Sequence, residues 1–465
     1  MSVDIRQAMT DTALFGETFG GPSWAAWRAL LAGFYGLELD EAEAEHWKGL
    51  TSRESAPQVT HEELWLVVGR RGGKSQCAAL LAIYEACFRD HRPNLAHGER
   101  ATVLVLAADR RQARVVFRYI TGMFQANPML RRMIEREDRE SLELSNLATI
   151  EVGTASFRTV RGHSLAAVVC DEVAYWRSED SANPDSEIVA ALRPAMATLG
   201  GKLVALSSPY SRRGELWDTY RRHYGQESPV LVAQAASRTM NPELPARVVQ
   251  DAYERDPTAA AAEYGAEFRG DVSTFLDHDV VEAAARPDPV ELPPVRHHSY
   301  AAFVDPAGGG ADEFCLSIGH TEGERVVVDL VRARRGPPAA IVEEFVALLR
   351  AYGIRSVTGD RYGGQWPCDE FGRHGIGFEF TTRSKSELYV DSLAILNSGR
   401  LELPPDNRTL TQLANLERRT SRSGRDSVDH PPNSHDDRAN AVAGLAAVAG
   451  KRRIEARSVP VAGLI

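Results

Sequence analysis

The chain has 465 residues, which is too long for one ordinary domain and predicts two. Hydrophobic residues make up 43% and charged residues 25%, a globular composition that excludes a disordered or fibrous protein. The formal net charge of −10 argues against a protein that coats nucleic acid constitutively, because neutralising phosphates requires clustered Lys and Arg.

The sequence predicts neither a signal peptide nor a membrane span. The opening segment, MSVDIRQAMTDTALFG, has no apolar core, and the longest run of small apolar residues, 439–450, is far too short for a membrane span. The five cysteines are scattered without a Cys-x-x-Cys pair, which indicates reduced thiols and neither zinc ligation nor disulfides. We therefore expect a soluble cytoplasmic protein with no membrane partner.

In the first half, apolar runs alternate with amphipathic helical stretches. The apolar runs lie at 64–69, 101–108, 166–172 and 202–208. Strands separated by helices predict an α/β domain with a parallel sheet.

The first run leads into a glycine-rich turn, GRRGGKS, and then into a helical stretch. This order is typical of a P-loop, in which backbone N–H groups and the helix N-terminus hold phosphates. Lys74 would reach the β and γ phosphates of ATP, and Ser75 would bind Mg²⁺. Val68 occupies the first-glycine position of the usual motif, so a chance match is the alternative. The remaining predicted nucleotide contacts are Gly69, Arg70, Arg71, Gly72 and Gly73.

A third apolar run ends in Asp171 and Glu172. Asp171 would hold the magnesium through water, and Glu172 would activate the attacking water. The alternative is an ordinary strand end followed by a solvated acidic turn. Ser207 and Ser208 end a further strand and could sense the γ-phosphate, although serine is also common in turns.

From about residue 240 the pattern changes to polar helical segments and a proline-rich stretch at 286–298, which indicates a linker. Strand-like runs follow at 300–305, 314–320, 325–333 and 356–360, with a helix before the last and another at about 436–450. Three strands, a helix and a fourth strand is the opening order of an RNase H-like fold. The predicted domains are therefore a P-loop domain at 1–240, a linker region at 241–296 and an RNase H-like domain at 297–465.

Four aspartates of the second half lie at the ends of predicted strands or at the start of a predicted helix. Asp305 ends its first strand and Asp360 its fourth, and Asp436 and Asp437 open the late helix. Such oxygen ligands favour two Mg²⁺ or Mn²⁺ ions, which suit phosphodiester cleavage. Helix capping explains Asp436 or Asp437 equally well. Asp312 and His435 are interpreted as turn and loop residues.

Together these motifs resemble the large terminase subunit of tailed bacteriophages. The similarity covers about 60–450 and rests on GRRGGKS, RGHSLAAVVCDE, SSP, VDPAGG, GDRYGG and HDDRANA. The resemblance implies a viral packaging motor in the host cytoplasm that moves double-stranded DNA with ATP and cuts concatemers. It further implies a portal protein, a small terminase subunit and a homo-oligomeric ring as partners. By the same resemblance Arg70 and Arg161 touch nucleotide, with Arg161 acting on a neighbouring subunit.

Two hypotheses compete with the packaging motor. One is a helicase or remodelling ATPase with a non-catalytic RNase H-like domain, and the other is a structural virion protein with relict motifs. Three intact acidic positions of the second half argue against the first, and the second would leave the intact set of Lys74, Ser75, Asp171 and Glu172 unexplained. Finally, the arginines of ERRTSRSGR (417–425) follow no apolar period, which predicts a mobile loop that grips the DNA backbone; the alternative is a plain solvated loop.

Overall fold

The computed structural model describes residues 3–55, 59–156, 162–178, 181, 183–307, 312–361, 364–420, 426–432 and 434–457. Two compact units divide the chain: Met1–Arg177 with Asn183–Gly270, and Ser178–Ala182 with Asp271–Ile465. Across the described ranges, no helix has both the length and the apolarity to cross a membrane.

A largely parallel sheet of eight strands forms the centre of the first unit, in the order β3-β4-β5-β2-β6-β7-β1-β8. Pairing from β5 through β8 is parallel, whereas β3, β4 and β5 pair antiparallel. The predicted parallel α/β sheet is therefore confirmed. The strands are β1 Glu63–Val68, β2 Ala101–Ala107, β3 Ile134–Glu137, β4 Ser141–Leu144, β5 Ala148–Thr154, β6 Ser164–Asp171, β7 Lys202–Ser207 and β8 Val230–Ala235.

Helices cover both faces of this sheet, so its central strands are buried on both sides. On β1, Leu64 and Leu66 join one apolar core, and Trp65 and Val67 join the other. The helices are α1 Ile5–Thr10, α2 Gly16–Phe19, α3 Ala25–Phe34, α4 Glu41–Thr51, α5 Lys74–Phe88, α6 Arg110–Ala126, α7 Pro128–Arg131, α8 Pro184–Met196, α9 Glu215–His223, α10 Ser237–Met240, α11 Ala246–Arg255 and α12 Pro257–Glu263, with 3₁₀ turns at Pro22–Trp24, Arg92–Asn94 and Val173–Tyr175.

The second unit is built on a mixed sheet of order β14-β13-β10-β11-β12-β15, beside a smaller sheet of order β17-β16-β9. β10, β11 and β12 pair antiparallel, and β13 and β14 continue parallel to β10. This is the RNase H-like strand order, as predicted. The strands are β9 Val272–Thr274, β10 Tyr300–Asp305, β11 Phe314–Glu322, β12 Arg325–Arg334, β13 Ser356–Gly359, β14 Gly377–Phe380, β15 Leu401–Glu402, β16 Glu417–Thr420 and β17 Asp426–Asp429.

The last helix of this unit packs closely on the mixed sheet. A Cβ on Gly444 would lie 2.4 Å from the ring of Phe303, so only glycine permits this approach. The helix thereby brings its first turn to the end of β10. The helices of the unit are α13 His278–Ala283, α14 Pro338–Ala351, α15 Trp366–Arg373, α16 Lys385–Asn397, α17 Asn407–Ala414 and α18 Asp437–Arg457.

Two segments differ from the expected organisation. Residues 241–296, predicted as a linker region, are divided between the units at Gly270 and contain α11, α12, β9 and α13. Their proline-rich part is anchored, since the backbone N–H of Leu292 donates to the carbonyl of Asp329. The predicted mobile loop at 417–425 begins instead as β16, which pairs with β9 and β17, and 421–425 lie outside the described residues.

Candidate nucleotide-binding and metal-binding sites

The P-loop turn connects β1 to α5 in a conformation that depends on Gly73. Arg71 and Gly73 have positive φ angles of 65° and 91°. A Cβ at Gly73 would also lie 3.1 Å from Trp24 and from Trp27, which is a tight contact, so the positive φ and the close indole rings both favour glycine. Gly73 caps α5 without a side-chain hydrogen bond, as a phosphate-binding helix start requires.

Side chains from outside the turn hold its carbonyl groups. Ser237 Oγ donates to the carbonyl of Arg70 at 2.6 Å, and Asn241 Nδ2 donates to that of Arg71 at 2.9 Å. Trp27 Nε1 donates to the carbonyl of Gly72 at 2.9 Å. Three successive carbonyls are thus anchored, which fixes the shape of the turn before any ligand binds. These anchors are distant in sequence, and no sequence signal identifies them.

Lys74 is almost fully buried beside the predicted acidic pair. Its Nζ donates to Ser208 Oγ at 2.8 Å and lies 3.4 Å from Glu172 Oε1. Glu172 has a φ of 52°, and its Oε2 accepts from Ser207 Oγ and from the backbone N–H of Ser208, both at 3.1 Å. β7 lies between β1 and β6, so its terminal serines stand between the lysine and the glutamate. Ammonium, carboxylate and hydroxyls meet at one edge of the sheet.

Asp171 is buried with one oxygen unused. Gln112 Nε2 donates to Oδ2 at 3.2 Å, whereas Oδ1 has no hydrogen-bond partner among the described residues. Burial and the neighbouring Glu172 raise the pKa of Asp171 to about 7, although Gln112 and Lys74 act in the opposite direction. A buried carboxylate oxygen with no donor suits a hydrated cation, so the residues fit the Mg²⁺ of a bound nucleotide.

A cavity of about 1300 Å³ opens over these groups, large enough for a nucleoside triphosphate. The predicted contacts Arg70, Arg71, Gly73, Lys74, Ser75 and Glu172 line it, together with Gln112, which was not predicted as a ligand. Gly69 and Gly72 shape the turn beneath: a Cβ on Gly69 would lie 2.4 Å from Ser237 Oγ. Arg161 lies outside the described residues.

In the second unit, Asp305 and Asp360 end neighbouring parallel strands. Val304 pairs with Gly359, so the residues that follow them, Asp305 and Asp360, stand side by side. Asn440 Nδ2 donates to Asp360 Oδ2 at 3.3 Å, and the Asn440 side chain also bonds to Asp305. The strand register therefore places these two carboxylates side by side at one edge of the sheet.

The cluster concentrates negative charge in a buried place. Burial first, and then Asp360, Asp437 and Asp436, raise the pKa of Asp305 well above its usual range. Burial also raises the pKa of Asp437, although the backbone N–H of Glu313 donates to it at 2.9 Å. Buried carboxylates that repel one another suit divalent cations, and the set of hard oxygen donors fits Mg²⁺ or Mn²⁺.

Asp436 and Asp437 have different surroundings. Asp436 is 2.7 Å from Lys385 Nζ and accepts from the Tyr389 hydroxyl at 2.6 Å. Both of its oxygens accept from these protein donors, and its role as a metal ligand stays a prediction. Asp437 lies instead within 4.8 Å of Asp312 and His435, which were interpreted as turn and loop residues.

Asn440 is the residue of this site that the sequence did not reveal. Its side chain is 1% exposed, and its Oδ1 has no hydrogen-bond partner among the described residues. The amide NH₂ group of Asn440 thus faces the two carboxylates, while its buried Oδ1 keeps an unused electron pair. The only available signal was its position one helical turn after Asp436 and Asp437, on the same face of α18.

Comparison with known proteins gives no family model and no curated protein that matches the chain. Solved structures that are similar include the HK97 bacteriophage large terminase, at 14% identity over 83% of this chain and 91% of that chain, with a TM-score of 0.38. The large terminase of a thermophilic bacteriophage matches at 10% identity over 83% and 94%, with a TM-score of 0.39. The large terminase nuclease of the thermophilic phage G20c with bound magnesium matches at 18% identity over 37% and 95%, with a TM-score of 0.32.

Proposed function

We propose that this chain is the ATP-hydrolysing and DNA-cutting subunit of a viral genome-packaging motor, a protein of the large-terminase type. The observation that supports this proposal is that one chain carries two different sites, each suited to the chemistry of phosphate groups. One unit holds Lys74 and Glu172 beside a rigid phosphate-binding turn, and the other holds Asp305 and Asp360 together on an RNase H-like sheet. ATP hydrolysis would drive movement of double-stranded DNA, and the carboxylate site would cut it.

In the ATPase site each side chain has a role that its position allows. Lys74 exchanges its contacts with Val68 and Ser208 for the β and γ phosphates, while the turn N–H groups and α5 hold the remaining charge. Ser75 and Asp171 would hold a Mg²⁺ ion, which would supply positive charge to the phosphates. Glu172 orients the attacking water and accepts its proton, with Ser207 and Ser208 fixing the carboxylate.

In the nuclease site, Asp305, Asp360 and Asp437 would hold two Mg²⁺ or Mn²⁺ ions, with Asn440 between the first two. The ions would stabilise the charge on the attacking and leaving oxygens of the phosphodiester. Asp436 is better placed to fix Lys385 and Tyr389 than to bind metal, since both contacts are 2.7 Å or shorter. Its negative charge still contributes to the raised pKa of Asp305, and such repulsion between carboxylates favours the binding of cations there.

The partners follow from the proposed function and from the motif resemblance. They are double-stranded DNA, a portal protein, a small terminase subunit and further copies of this chain in a ring, in the host cytoplasm. Arg161 would act on the nucleotide of a neighbouring copy. A helicase-like ATPase with a non-catalytic second domain is disfavoured, because an inactive site has no reason to keep Asp305 buried against Asp360 at an electrostatic cost.

Replacing Lys74 with Ala separates the two activities and tests their assignment. Steady-state ATP hydrolysis should fall by on the order of 10²-fold or more, because a buried cation aimed at the phosphates is lost. Mg²⁺-dependent DNA cleavage should persist, since the nuclease ligands lie in the other unit. The exposed Lys48→Ala variant is the matched control and should keep both activities. Undiminished ATP hydrolysis by Lys74→Ala would refute the P-loop assignment.

A further inference from the structure

A second group of metal-ligand side chains lies at the opposite end of β10 from Asp305. His298 precedes this strand by two residues, and His320 and Glu322 stand near the end of β11. One ligand atom from each of these three residues lies within 4.8 Å of the others. The group is separate from the carboxylate cluster, and the proposed nuclease chemistry makes no use of it.

A β-bulge places an acidic side chain behind His320. Ile318 pairs with Leu330 and Gly319 pairs with Val328, which leaves Asp329 as the extra residue of β12. Bulges of this kind redirect a side chain. Asp329 is buried, and its Oδ2 lies 2.7 Å from Nδ1 of the equally buried His320. In the tautomer that carries the ring proton on Nδ1, this nitrogen donates to the carboxylate and Nε2 keeps a lone pair for a metal ion.

Nε2 of His320 lies close to other side chains that can bind a metal ion. Nε2 of His320 lies 3.3 Å from Glu322 Oε1, and the ring of His298 stacks on that of His320 at 4.0 Å. Nδ1 of His298 is buried and has no hydrogen-bond partner among the described residues. Ligand atoms around a tetrahedral ion about 2 Å away lie roughly 3.3 Å apart, which is the spacing of Nε2 and Oε1.

Neighbouring charged groups leave the three ligands available. The Arg286 guanidinium donates to the carbonyls of Val328, Pro289 and Val290 and lies 3.9 Å from Glu402, so it does not neutralise Glu322. The remaining neighbours are aromatic: Tyr300 contacts the rings of both His298 and His320. Among the described residues, no lysine or arginine forms an ion pair with Glu322, so no protein cation neutralises this group.

We propose that His298, His320 and Glu322 bind one divalent transition-metal ion of the zinc type. Two imidazole nitrogens and one carboxylate are the ligand set of such ions, in contrast to the all-oxygen set at Asp305, which suits Mg²⁺. Asp329 acts as the outer carboxylate that fixes the tautomer and orientation of a ligating histidine. Three protein ligands leave a fourth position open for water or for a ligand.

The experiment titrates Zn²⁺ into the full chain, prepared without a histidine tag, by calorimetry. The background variant Asp305→Asn/Asp360→Asn removes the proposed nuclease ligands, so the result does not depend on nuclease function. We expect one equivalent of saturable Zn²⁺ binding and a rise in Tm with Zn²⁺ that Mg²⁺ does not reproduce. Co²⁺ bound in its place should show the visible absorption of a nitrogen-ligated site.

Variants on this background locate the ion. Glu322→Gln changes an exposed residue and should fold normally, yet it should weaken Zn²⁺ binding by about tenfold or more, as should His298→Ala. Asp329→Asn should cost about 10- to 100-fold through the orientation of His320. His278→Ala is the matched control, because His278 belongs to a separate group with Asp279 and Glu282. Absence of stoichiometric Zn²⁺ binding, or loss of binding in His278→Ala alone, would overturn the proposal.

Discussion

The negative charge of Asp171 destabilises the folded protein when no cation is bound, so this residue links stability to ligand binding. Its usual pKa is near 3.8, and burial beside Glu172 raises it to about 7. A raised carboxyl pKa stabilises the folded state at low pH, and this contribution is lost as the pH rises through the folded value. At neutral pH the negative charge of Asp171 therefore lowers the stability of the ligand-free protein, and a bound Mg²⁺ would offset this effect.

Replacing Asp171 with Asn should remove this pH dependence. Between about pH 4 and pH 7 the group should lower the free energy of unfolding of the ligand-free protein by roughly 1 kcal/mol per pH unit. Denaturant unfolding of the wild-type chain and of Asp171→Asn, at about pH 5 and about pH 7.5, measures the difference. The variant should gain relative stability at the higher pH. An identical pH profile for both proteins would show that Asp171 titrates normally.

At the residue scale the sequence predicted groups that sit in local motifs and missed those brought in by the fold. Lys74, Ser75 and Glu172 were predicted because they adjoin strand ends. Asn440 touches Asp360 from 80 positions away in sequence, and Gln112 reaches Asp171 from 59 positions away. Such contacts depend on how helices pack on sheets, which one sequence does not encode as a motif.

At the scale of elements, the hairpin of β16 and β17 departs most from expectation. The sequence of β16, ERRT, has no apolar residue at alternate positions, so it lacks the alternation of apolar and polar residues that marks a strand. The strand forms because it pairs on both sides, with β9 and with β17. Arg418 lies over the ring of Phe275 at 5.5 Å, and Arg419 donates to the carbonyl of His430 at 2.9 Å. These two arginines hold the hairpin in place.

The four arginines of this segment should therefore divide into two classes. Arg419→Ala should lower the free energy of unfolding by about 1 to 3 kcal/mol, because it removes the hydrogen bond to the carbonyl of His430 and the ion pair with the buried Glu417. Arg422→Ser and Arg425→Ser should each reduce the salt slope of DNA binding by about one and leave stability unchanged. Thermal denaturation and DNA titrations at several salt concentrations distinguish them. An unchanged slope would remove this segment from the DNA-binding surface.

At the scale of the whole molecule, the predicted order of a P-loop domain followed by an RNase H-like domain agrees with the two sheets. The position of the division was harder to predict, because proline and polar residues mark 286–298 as irregular without revealing its contacts. The second unit begins at Asp271. Phe275, Leu276 and Val281 belong to its apolar core, so the segment before β10 is part of the fold.

Truncation tests this boundary. A fragment of residues 271–465 should fold and cut DNA with Mg²⁺ and without ATP. One that starts at 296 should be much less stable, because it lacks β9, α13 and three core side chains that each contribute about 1.5 to 3 kcal/mol on burial. Circular dichroism melting and a cleavage assay compare the two fragments. Equal stability would show that 271–295 is dispensable.

Plasmid cleavage by the full chain shows whether the buried carboxylates bind metal and cut DNA. Wild-type protein should convert supercoiled plasmid to linear and smaller products with Mg²⁺ or Mn²⁺ and fail to do so with EDTA. Asp305→Asn, Asp360→Asn and Asp437→Asn should each abolish cleavage yet fold normally, since the change removes charge at constant side-chain volume. The exposed Asp279→Asn variant should cut at the wild-type rate. Full cleavage by these three variants would show that the carboxylates are not needed to cut DNA.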